Sequence, residues 1–134
     1  MVPAILEKMT YEILEKHTGP DQKLTFIVTL EGEDVSLGFE NFAWHTHGDM
    51  LAAENQSPKD TAKVFIDDLL HDKILIMVIQ VDAEVKDVSV TNDPESELKY
   101  KLENEELEFR FWSGNAIYKN QQILSSGVRW RFFH

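Results

Sequence analysis

The segment Lys73 to Val81, KILIMVIQV, constrains the fold more than any other stretch. After Lys73 it is apolar up to Gln80, with no alternation of apolar and polar residues. A strand with one wet face alternates, whereas an unbroken apolar run marks a strand covered on both faces. It is too short for a membrane span, which takes about 18 or more apolar residues. The reading is therefore a central strand of a layered domain.

The flanking segments supply the cover. Ser57-Pro58-Lys59-Asp60 is a helix start, with Ser57 as cap, Pro58 in the first turn and Asp60 at the capping-box position. Ala62, Phe65, Ile66, Leu69 and Leu70 then fall on one face, and Lys59, Lys63 and Asp67 on the other. Upstream, LTFIVTL and VSLGF read as a hairpin turning at EGED, with Val35, Leu37 and Phe39 on one face, and FAWHTH reads as a third strand. An N-terminal helix is expected from Pro3 to the stop at Gly19-Pro20, on the spacing of Ile5, Leu6, Met9, Ile13 and Leu14 and the Glu12–Lys16 pair. The second half reads as strands: VKDVSVTND, ELKYKLENEELEFRFW, AIYKNQQIL and VRWRFF, separated by turn residues. The expected architecture is one α+β domain over residues 1–134, a mostly antiparallel sheet with two helices packed on one side. A chain of 134 residues is long enough for one such domain with a real core.

Charge narrows the choice of partners. The formal net charge is −11, which argues against nucleic acid, because phosphate binding relies on Lys and Arg. Ten acids lie between Asp82 and Glu108 against Lys86, Lys99 and Lys101, and none follows Phe109. Such polarity gives the domain an acidic face able to steer a cationic partner. The absence of cysteine excludes disulfides and thiol chemistry. The N-terminal segment, with Glu7, Glu12 and Glu15 and no basic n-region, does not read as a signal peptide, so a cytosolic protein without a membrane partner is expected.

Chemistry-bearing motifs are few. In FAWHTHGD, an extended chain puts His45, His47 and Asp49 on one side. Two imidazoles and a carboxylate are a divalent transition-metal pattern. His17, His71 and His134 are not tied to that face by the sequence. The plainest reading is structural: one histidine bonds a backbone carbonyl, the other lies at the surface, Trp44 packs inward, and Gly48-Asp49 turns the chain. A recognition surface ranks second and a metal site third. No G-x-S-x-G and no glycine-rich phosphate loop occurs, and the carboxylate pairs Asp67-Asp68 and Glu105-Glu106 are adjacent residues that point apart. No catalytic residue, metal ligand or cofactor is therefore assigned. Late aromatics are core for the most part; Trp112, on a strand face with Arg110, and Trp130, between Arg129 and Arg131, are expected to be partly exposed.

The run Trp44-His45-Thr46-His47-Gly48-Asp49, followed by a helix, then DKILIMVIQV, then Arg110-Phe111-Trp112-Ser113-Gly114, resembles small bacterial immunity proteins. These neutralise polymorphic or contact-dependent growth inhibition toxins. The resemblance covers roughly residues 35 to 115 and carries no catalytic residue; the N-terminal helix and arginine-rich C-terminus lie outside it. It implies a non-enzymatic cytoplasmic protein that binds a cognate toxin domain, basic where the toxin is a nuclease. The partner-binding residues expected are Glu31, Glu33 and Asp34 in the hairpin turn, Glu103, Glu105 and Glu106 before the late strand, and the polar cluster His45, His47 and Asp49. The rival reading is a metal-binding protein or metal-dependent enzyme using the His-x-His-x-Asp cluster. A homodimer through an aromatic sheet face is the third.

Overall fold

The structure, a computed structural model, describes residues 12–32, 34–48 and 57–119, and the backbone alone of 122–123. In chain order the elements are β1 (Glu12–Thr18), β2 (Thr25–Glu31), β3 (Asp34–Phe39), β4 (His45–His47), α1 (Pro58–Leu70), β5 (Leu75–Val81), β6 (Glu84–Thr91), α2 (Pro94–Lys99), β7 (Glu105–Arg110), β8 (Ala116–Lys119) and β9 (Gln122–Ile123). The fold is α+β and mostly antiparallel sheet, as expected. Its strands divide into two sheets, ordered β1-β2-β3-β4 and β6-β5-β7-β8-β9. No described helix is long and apolar enough to cross a membrane.

The apolar run is an interior strand, β5, flanked by β6 and β7. Ile76 and Val78 face a first core, shared with Phe26, Val28, Val35, Leu37 and Phe39 of the four-stranded sheet and with Ala62, Ile66 and Leu69 of α1. Leu75 and Met77, pointing the other way, join Leu107, Phe109, Phe111 and Ile117 in a second core. Burial of both faces explains why the segment has no polar alternation. The helices meet different cores: α1 packs into the first, and Leu98 of α2 packs against the second.

Helix α1 starts where its capping residues place it. Ser57 is extended (φ −74°, ψ 153°), and its Oγ accepts the Asp60 N–H at 3.1 Å. Ser57→Ala should cost about 1 kcal/mol, read as a lower urea midpoint with an unchanged slope.

The N-terminal expectation needs correction. Residues 12–18 form β1, not a helix, and residues 1–11 lie outside the described residues. The ladder with β2 runs from Glu12↔Leu30 to Thr18↔Thr25, with a bulge between Ile13 and Glu15. Ile13 and Leu14, adjacent apolar residues that mimic a helical stripe, are both exposed on this edge strand. Inter-strand hydrogen bonds, not side-chain burial, hold the segment. Likewise, the front of the ELKYKLENEELEFRFW stretch is not strand: Asp93 caps α2 by accepting the Ser96 N–H at 3.1 Å. The strand starts only at Glu105. The expected strand VRWRFF lies outside the described residues.

Trp112 is the second correction: it keeps 5% of its accessible surface, and its neighbour Arg110 keeps 4%. The chain leaves β7 after Arg110 and turns, with Phe111 N donating to Asn115 O and Gly114 N to Phe111 O. Gly114 adopts φ +102°, where a side chain would be strained. Strand alternation stops at the turn, so Trp112 reaches the first core. Arg110 pairs with Asp21, in the β1–β2 loop, and its Nε donates to Phe111 O. The pair ties the two sheets together. Burial alone would raise the Asp21 pKa; the hydrogen bond from Arg110, the Lys23 backbone N–H and the positive charges of both residues outweigh it and hold it below the usual value. Trp130 lies outside the described residues.

Candidate functional site

The outer face of the four-stranded sheet is set by strand alternation. Phe26, Val28, Val35 and Leu37 point inward, so Ile27, Thr29 and Ser36 point outward. β4 continues the pattern. Trp44 packs against the first core and tilts on Phe39 at 6.1 Å between centroids, while His45 and His47 share the outer side. The β3–β4 connection is anchored by Asp87 of β6, whose carboxylate accepts the Trp44 N–H at 3.3 Å and the Val88 N–H at 2.9 Å. Gly38 pairs with His45, and a Cβ at 38 would lie 2.8 Å from Trp44 O. A larger residue there would push β4 off the sheet.

This outer face carries a shallow depression of about 560 Å³. Its apolar and hydroxyl lining comes from Ile13, Ile27, Thr29, Ser36 and Phe42; its rim carries Glu31, Asp34, Glu40, His45 and His47. The fold thus brings together two groups that the sequence keeps apart, the acids of the β2–β3 turn and the histidines of β4. Glu31 and Asp34 are paired across the turn. Glu33 and Asp49 lie outside the described residues.

Each histidine is held through Nδ1. His47 Nδ1 lies 3.0 Å from Asp34 Oδ2, and His45 Nδ1 lies 3.1 Å from Ala43 O. The rings meet edge to face, with centroids 5.0 Å apart. The reading of one histidine bonding a backbone carbonyl therefore holds for His45. Among the described residues, no three His, Cys, Asp or Glu side chains are placed to hold a metal ion.

The remaining expected acids belong to the other sheet. Glu103 is exposed in the turn before β7. Glu105 is engaged locally: its Oε1 accepts the Leu102 N–H at 2.8 Å, and its carbonyl accepts Lys101 Nζ at 3.0 Å. Glu106 lies beside Gln80, Glu108 and Lys119. None of the three lines the depression over β2, β3 and β4.

Glu40 and the outward residues Ile27, Thr29 and Ser36 were not singled out from the sequence. The period-two pattern of the hairpin contains that signal. Glu40 has none, because it depends on Lys16 of β1, whose Nζ is 2.9 Å from Glu40 Oε2. That ion pair is half exposed and contributes at most about 1 kcal/mol.

The depression is broad and open, with carboxylates on an apolar base. Such a surface accepts hydrogen bonds from ammonium or guanidinium groups while covering their alkyl stems. No family model, curated protein or solved structure matches the chain.

Proposed function

We propose that this chain is a non-enzymatic binding protein of the immunity type, acting in the cytosol to occlude a cognate basic toxin domain. The observation that carries the reading is the convergence of Glu31, Asp34 and Glu40 with His45 and His47 on one open sheet face. The net charge of −11 supports it, since opposite charge accelerates capture of a basic partner. A nuclease toxin fits this complementarity, because its own phosphate-binding surface is cationic. The acids of β7 and its preceding turn, Glu103, Glu105 and Glu106, add long-range attraction rather than direct contact.

The test compares wild type with a Glu31→Lys/Asp34→Lys variant as bait in native lysate, washed at rising salt. Wild type is expected to retain one basic polypeptide that high salt releases. With that polypeptide purified, the variant should associate at least about tenfold more slowly and with a shallower salt dependence. Equal association by the two baits would overturn this face as the contact.

A further inference from the structure

We propose that His45 and His47 form a two-nitrogen site for a divalent transition-metal ion of the zinc class, bound through both Nε2 atoms. The strand sets the spacing: residues two apart on β4 share a face, opposite Gly38 and Ser36 of β3. The rings meet edge to face with centroids 5.0 Å apart, a separation that one ion about 2.0–2.1 Å from a nitrogen of each ring can span.

The hydrogen bonds determine which nitrogen is free. A carbonyl oxygen and an ionised carboxylate only accept, so His45 Nδ1 donates to Ala43 O and His47 Nδ1 donates to Asp34. In a neutral imidazole the other nitrogen, Nε2, then carries the lone pair. Both rings are thereby fixed in one tautomer by a backbone carbonyl and by a carboxylate, the two kinds of acceptor that orient ligating histidines in metal sites. Asp34 acts here as a positioning residue behind His47. Imidazole nitrogens select zinc, copper or nickel over the oxygen-seeking calcium and magnesium. Glu31 on the same rim raises the local concentration of cations. His45 and His47 alone are assigned as protein ligands, with water able to complete the coordination.

The experiment uses the purified, tag-free full chain titrated with zinc chloride. Calorimetry reads the stoichiometry, and long-range ¹H–¹⁵N spectra read the ring nitrogens. Before zinc, both rings should be Nδ1–H tautomers; zinc should then shift both Nε2 signals and saturate at one equivalent. His45→Ala and His47→Ala should each abolish that equivalent, and Asp34→Asn should weaken it about 10–100-fold. All three positions are at the surface, so unchanged unfolding midpoints should accompany the loss. An Nε2–H tautomer in either ring would overturn the proposal. So would zinc binding that survives at full affinity in the double alanine variant, or no saturable binding at millimolar zinc. No partner is present in the titration, so its result is independent of the reading above.

Discussion

Phe26→Ala should destabilise the protein by about 3–5 kcal/mol, the range for truncating a fully buried phenylalanine. Phe26 has no accessible surface and lies at the junction of three elements. Its ring meets Phe39 of β3 edge-on at 5.1 Å and stacks on Phe65 of α1 at 5.9 Å. Alanine removes both ring contacts and leaves a void that β2, held in register on both sides by β1 and β3, cannot close. The melting temperature should fall by roughly 10–20 °C for a domain of this size. Val64→Ala, on the exposed side of α1, is the matched control and should stay within about 0.5 kcal/mol. Urea unfolding followed by circular dichroism reads both. A loss below about 1 kcal/mol for Phe26→Ala would mean that the four-stranded sheet does not share its core with α1.

Asp21→Ala is the second large effect. It leaves the Arg110 guanidinium buried without its counter-charge, a condition that costs about 3–5 kcal/mol when the pair is wholly enclosed. The Asp21 side chain keeps 27% of its accessible surface, so water compensates in part and about 2–3 kcal/mol is expected. Arg110→Met should cost less, because it removes the charge together with its need for a partner. The pH dependence provides an independent check. The folded-state pKa of Asp21 is lower than its unfolded value, so the carboxylate's contribution is complete above the unfolded value, about 3.9. It fades as pH falls through the lower, folded value. Asp21→Asn should therefore flatten the acid limb of the stability profile while leaving its shape at neutral pH unchanged. An acid limb identical to wild type would show that the pair does not couple to folding.

How much of this was legible depends on the range of the interactions. The β2–β3 hairpin, α1 with its Ser57 cap and the doubly covered β5 are written in local patterns, and those patterns agree with the packing around them. β1 departs from its local pattern because its apolar residues are neighbours on an exposed edge, and pairing with β2 overrides the helical spacing of Ile13 and Leu14. Trp112 departs from its strand pattern because the strand ends at Arg110, in a turn made possible by Gly114.

For the candidate site, the residue types were visible and their grouping was not. Glu31, Asp34, His45 and His47 could be named from charge and spacing, but only the β2-β3-β4 order puts them on one face. Glu105, equally acidic in sequence, caps its own turn instead.

The sequence by itself determined the strands and helix whose apolar period is intact, together with the acidic character of the surface. Tertiary structure alone decided that β1 is a strand, that Arg110 is buried against Asp21, and that His47 meets the turn carboxylate of Asp34. Periodicity and capping act within a few residues, whereas Asp21 and Arg110 are 89 residues apart and become partners only when two sheets close on one core.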